Sequence, residues 1–138
     1  MSLNLTPLAK AINSLEEAIE FSRSEMAKDL RVFRQFRNSV IQCFEFTYEL
    51  CWKMLKRRLE LDAPTPAAID ELSFNDLIRQ AAVQGYLLDP VIWMNYRKKR
   101  NVTSHAYDEK MAQEVYEIAL AFWWDAKDLL KNLEARNQ

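Results

Sequence analysis

The chain has 138 residues, 49% of them hydrophobic and 28% charged, with a formal net charge of -1 at pH 7. That describes one globular domain, 1–138, with enough length to bury a real core; it argues against a globally basic nucleic-acid binder and leaves only a local basic patch open. A single glycine, Gly85, excludes Walker and Rossmann phosphate loops, which need several glycines at fixed offsets, and is too few for the turns of an all-β fold.

In chain order, a first helix is predicted to open at "TPLAKAINSLEEAIEF". Thr6 is the expected cap and Pro7 suits the first helical position. Leu8, Ile12, Leu15, Ile19, Ser22 and Met26 then recur at helical spacing and form its inner seam. A second, long helix is predicted from about Leu30 to Leu61. Its seam runs Phe33, Phe36, Val40, Cys43, Phe44, Thr47, Cys51, Leu55 and Leu59, with Phe46, Tyr48, Trp52 and Met54 beside it. An apolar surface that wide predicts contact with more than one partner, including a dimer surface. "DAPTP" at 62–66 ends this helix, because proline removes a donor and restricts the residue before it.

The third segment opens at "SFND", where Ser73 and Asp76 resemble a capping box. Phe74, Leu77, Ile78, Ala81 and Ala82 give it a short apolar face, and Gly85 is its natural stop. The helix restarts at Asp89 and Pro90, then carries Val91, Trp93, Met94 and Tyr96 into the basic run Arg97, Lys98, Lys99, Arg100. The last helix is predicted from about Asp108 to Leu133, with Val115, Ala119, Phe122, Ala126, Leu129 and Leu133 as its seam. The expected fold is all-α: an antiparallel up-and-down four-helix bundle with a broken third segment.

Cys43 and Cys51 lie eight residues apart on one helix, so their Cα atoms are about 12 Å apart. A disulfide needs less than about 7 Å, and both are expected to be reduced. No apolar run approaches the roughly 18 residues of a membrane span, and no signal-peptide pattern opens the chain; a cytoplasmic location without membrane contact is the expectation.

Two stretches carry chemistry. "RNVTSHAY", 100–107, holds the only histidine, His105, among Arg100, Asn101, Ser104 and Tyr107. An unbroken helix would set Arg100 and His105 about 140° apart, too far for joint work on one phosphate. Valine, threonine and serine are mediocre helix formers, so the helix is predicted to end here and bend Arg100 toward the imidazole. Histidine can take a proton near neutral pH, and arginine can hold phosphate oxygens with its planar fork. Asp108 is placed to orient the imidazole, or a helix starting there offers backbone donors to an anion. One histidine without clustered carboxylates makes zinc a poor expectation, and no cofactor is predicted. The competing reading is a polar corner in which both side chains only cap helix ends.

The second stretch is "FEFTYELCWKMLK", 44–56. Glu45, Glu49, Trp52 and Lys53 are expected to line a groove facing residues 100–107, with Glu49 and Lys53 a favourable i,i+4 pair. The alternative is an exposed charged strip beside an aromatic core. The basic run, preceded by Trp93 and Tyr96, could bind single-stranded RNA by charge and stacking, or could be a solvated helix end.

On these two blocks the chain resembles the nucleotidyltransferase substrate-binding protein family, a HepT-like branch of the HEPN superfamily. "FEFTYELCWKMLK" is similar to the family's long second helix, and "RNVTSHAYDE" to its Arg-x4-His-x-Tyr motif. The resemblance implies an up-and-down four-helix bundle, a homodimer whose two-fold axis brings both motifs close, and a separately encoded minimal nucleotidyltransferase as partner. It implies metal-independent RNA cleavage by Arg100 and His105, with Asn101 the polar residue that commonly follows the arginine. It also implies that Tyr107 receives AMP from the partner, which silences the nuclease in a toxin–antitoxin pair.

Overall fold

Short polar side chains and prolines set most of the helix boundaries in the computed structural model, which describes residues 2–137. The order is α1 (Thr6–Ser22), α2 (Leu30–Asp62), α3 (Pro66–Asp70), α4 (Phe74–Val83), α5 (Pro90–Asn101) and α6 (Glu109–Ala135), with 3-10 turns at Glu25–Lys28 and Thr103–His105. Asp29, Ser73, Asp89 and Asp108 each accept a hydrogen bond from a backbone N–H of the helix that follows, at 2.9–3.1 Å. Each satisfies a donor that the first turn leaves unpaired. Gly85 ends α4 at φ +85°. Tyr86 N–H returns to Ala81 O and Gly85 N–H to Ala82 O, the pairing that lets a left-handed glycine close a helix.

Two local expectations fail. Thr6 does not cap α1; Leu5 takes that position and its carbonyl accepts from Ala9 N–H, while the Asn4 side chain accepts from Thr6 N–H. Burial of Leu3 and Leu5 draws the chain into its first turn one residue early. Met26 is not on the α1 seam either: α1 stops at Ser22, the 3-10 turn resets the phase, and Met26 is 58% exposed.

Contacts fix the directions. Ser22 Oγ meets Tyr116 Oη at 2.8 Å, and the Asn137 side chain bonds both main-chain groups of Leu3, so α1 and α6 run antiparallel. Thr47 Oγ1 donates to Ala11 O, and Phe21 stacks on Phe36 at 5.5 Å, so α1 and α2 are antiparallel too. Arg37 reaches Glu109, and Phe44 reaches Phe122, so α2 and α6 are parallel across the diagonal. Trp93 packs on Phe122 while Lys99 reaches Glu114, which runs α5 against α6. α4 folds beside α5. The result is an all-helical, up-and-down arrangement of α1, α2, α5 and α6, with the third segment broken at 84–89.

Phe122 is the hub of the core. It is fully buried and touches the rings of Phe44, Tyr48, Trp93 and Tyr96 at centroid distances of 5.1–6.3 Å. Tyr96 Oη donates to Asp125. The ring series continues from Tyr48 to Phe74 and Trp52 and so leads from the core to the surface. Cys43 and Cys51 are both free, and burial pushes the thiol of each up. No helix among the described residues is long and apolar enough to cross a membrane.

Candidate functional site

Arg100 sits in the last turn of α5, where cations suit the helix C-terminus. Its Nε donates to Glu49 Oε1 on α2 at 3.1 Å, and Trp52 Nε1 donates to Glu49 Oε2 at 3.1 Å. One carboxylate therefore holds both an arginine and an indole. Glu49, Trp52 and Lys56 lie on one side of α2, because offsets of three and seven residues return to nearly the same helical angle.

These residues form the floor of a groove of about 350 Å³. Ile69, Leu72 and Phe74, from α3, α4 and the link between them, make an apolar wall, while Arg97, Arg100 and Asn101 from α5 make a polar one. The Arg97 guanidinium lies over the Phe74 ring, 4.2 Å from its centroid. Lys56 bonds Asp70 at 2.9 Å, and that bond holds its ammonium above the ordinary lysine range. Tyr48, 2% exposed, lies under the groove with no hydrogen-bond partner for its hydroxyl among the described residues. Burial pushes the Tyr48 hydroxyl up; Arg97 pulls it down and Glu49 raises it further.

The turn from α5 to α6 carries the remaining motif residues. Thr103 Oγ1 donates to Arg100 O at 2.8 Å, and Asp108 N–H donates to His105 O at 3.0 Å. The His105 and Tyr107 rings stand 6.1 Å apart, edge toward face, and Tyr107 is 87% exposed. The Asp108 carboxylate accepts from Met111 N–H and so occupies one of the α6 donors. On the far side of the turn Glu109 receives two 2.8 Å bonds from Arg37, whose side chain is 4% exposed. The Arg37 guanidinium holds the Glu109 carboxyl below its usual range.

Of the residues singled out in the sequence, Glu49, Trp52, Arg100 and Asn101 meet in the groove. His105, Ser104 and Tyr107 are exposed on the adjoining turn and do not line it. Glu45 and Lys53 also lie outside the lining, and Glu49 pairs with Arg100 rather than Lys53. Lys56 and the buried Arg37 were not anticipated. Lys56 was readable as the position seven residues after Glu49; Arg37 carried no signal, since its partner is 72 residues away. No group of three or more His, Cys, Asp or Glu that could hold a metal occurs among the described residues.

The described residues form an all-helical structure in which a polar groove lies beside an exposed histidine–tyrosine turn. Residues 3–135 match the model of the nucleotidyltransferase substrate binding protein like family, and the chain belongs to that family. It is 37% identical over 139 aligned residues to a protein of Haemophilus influenzae named probable ribonuclease HepT, covering 99% of this chain and 95% of that one. A solved Haemophilus influenzae structure, described as the fold of a substrate-binding domain of a nucleotidyltransferase, superposes with a TM-score of 0.89 at 36% identity, over 95% of this chain and 99% of that one. A crystal structure from Thermus thermophilus shares the fold at a TM-score of 0.71 and 24% identity, over 91% and 98% of the two chains.

Proposed function

We propose that this chain is the helical substrate-binding and partner subunit of a two-component system with a separately encoded minimal nucleotidyltransferase, of the HepT-like toxin–antitoxin type. The observation that carries the reading is the exposed Tyr107 beside His105, on a turn tied to α5 at one foot and to α2 at the other. A partner's active site can reach that hydroxyl without any unfolding. Transfer of AMP joins the Tyr107 oxygen to the α-phosphorus of ATP, releases pyrophosphate and passes the phenolic proton to solvent. Purified chain, partner and ATP should give a product heavier by one AMP, absent in Tyr107→Phe. No mass change with an active partner present would refute the modification.

A second reading is a metal-independent ribonuclease held in check by that modification. It is favoured by the relative named probable ribonuclease and by Arg100, whose Nε is held by Glu49 while its terminal nitrogens make no hydrogen bond among the described residues. His105 takes the ribose 2′-hydroxyl proton and the 2′-oxygen attacks the neighbouring phosphorus. Arg100 balances charge on the phosphoryl oxygens. The 5′-oxygen leaves with a proton from solvent, and a 2′,3′-cyclic phosphate remains. A homodimer that brings two such motifs together is part of this reading; sedimentation at the monomer mass at every concentration would remove it. Cleavage of an RNA pool in chelator by the native chain, lost in His105→Ala, tests the chemistry directly.

A further inference from the structure

We propose that the groove between α2, α4 and α5 is a nucleoside-phosphate subsite, with the base held against Trp52 beside the Arg97–Phe74 stack and the phosphate held by Arg97 and the free fork of Arg100. Three independent features converge there. The groove has one apolar wall and one cationic wall, the division that a planar base with an attached anion requires. Arg97 has no carboxylate partner among the described residues, and its guanidinium covers one face of Phe74, which leaves Trp52 as the ring for a base and sets a positive charge beside it. Tyr48 lines the groove, and its buried hydroxyl has no hydrogen-bond partner among the described residues; such an orphan needs a physical explanation. A ligand oxygen in the groove supplies the missing acceptor once a small shift of the Tyr48 ring opens the hydroxyl to it.

Glu49 sets the orientation. By taking Arg100 Nε and Trp52 Nε1 together it fixes both side chains beside the groove they line, and it leaves the terminal nitrogens of Arg100 without a hydrogen bond among the described residues. Lys56, its charge offset by Asp70, also lines the groove. The volume, about 350 Å³, lies at the small end of ligand pockets and suits one nucleotide rather than an oligonucleotide. The chemistry fits one residue of an RNA chain crossing toward His105, and it fits a free mononucleotide equally. The proposal rests on reading Arg100 as a phosphate-holding residue; Tyr48, Phe74 and Arg97 are what it adds.

Isothermal titration of the full chain with AMP, inorganic phosphate and a 2′-O-methyl trinucleotide tests it. AMP or the trinucleotide should bind about tenfold or more tightly than phosphate, the scale of one base on one aromatic ring. Arg97→Ala and Trp52→Phe should each weaken that binding by about tenfold, and Tyr48→Phe, which removes one oxygen only, by about fivefold. Tighter binding of AMP points to a free nucleotide, and tighter binding of the trinucleotide points to RNA; both support the subsite. Equal affinity for phosphate and AMP, or variants that bind like wild type, overturns it. Cleavage assays separate this from the nuclease reading. An RNA-cleaving wild type whose Arg97→Ala and Trp52→Phe variants keep the same KM and the same AMP affinity rejects the subsite and leaves the nuclease standing. An inactive wild type with the binding pattern above does the reverse.

Discussion

Glu49→Ala removes the acceptor that holds Arg100, and the structure sets the size of the effect. The pair is 3.1 Å apart and each side chain is 33% exposed. In bulk water two unit charges at that distance attract by about 1.3 kcal/mol, and by several times more in a drier setting. Solvent screening and the entropy of fixing two long side chains offset most of the excess, leaving about 1 kcal/mol. Unfolding entropy of about 2.1 cal/mol/K per residue, over a chain of this length, comes to about 290 cal/mol/K, so loss of the ion pair alone should lower Tm by about 3 °C, and Glu49→Ala should lower it further because Trp52 Nε1 loses its acceptor too. Urea unfolding of wild type, Glu49→Ala, Arg100→Ala and the double variant isolates the pair, with an expected coupling of about 1 kcal/mol at low salt that shrinks as salt rises. Phosphate binding should weaken in Glu49→Ala with Arg100 still present, because the fork is no longer aimed. A coupling below about 0.3 kcal/mol together with unchanged phosphate binding would sink the argument. The packing of α5 alone would then place Arg100.

Three further outcomes follow from the same geometry. Phe122→Ala opens the centre of four packed rings and should cost about 3–5 kcal/mol, a fall in Tm of about 10–17 °C by calorimetry, whereas Phe122→Leu should cost well under half of that. Tyr48, Tyr86 and Tyr96 are all raised above the ordinary 10.0, chiefly by burial. The unfolded chain therefore ionises first, so their contribution is intact below about pH 10 and is lost as pH rises beyond it; urea midpoints should fall on that side and hardly move between neutral pH and about pH 9. Gly85→Ala should cost about 1 kcal/mol and lower the urea midpoint accordingly, because φ +85° strains any side chain, while the Arg136 tip that the new methyl meets at 2.8 Å can swing aside. Gly85→Asn should cost less.

Much of the fold was legible because local chemistry decided it. Ser73, Asp89 and Asp108 announced three helix starts, and Gly85 announced a stop, each through a bond to the nearest backbone. The errors arose where distant burial overrode local preference: Leu3 and Leu5 pulled α1 past Thr6, and an unread 3-10 turn carried Met26 out of register. The groove was half legible. Helical phase puts Glu49 and Trp52 on one side of α2, but it puts Lys53 about 100° from Trp52, and Lys56, one turn further, closes the groove instead. Neither the Arg100–Glu49 pair nor the Arg37–Glu109 pair could be read from spacing, since each joins helices far apart in the chain.

The α5–α6 turn is built like a short bridge with a footing on each bank. Thr103 ties one end to α5, and Arg37 ties the other to α2 through Glu109. Tyr107 hangs outside the span and meets it through its ring contact with His105. A group attached to its hydroxyl therefore changes the outline and charge that another molecule meets while leaving the stability of the bundle where it was. Thermal melts of modified and unmodified protein should coincide. Native charge separation should tell them apart, so a population can be sorted by its modification state without disturbing the fold.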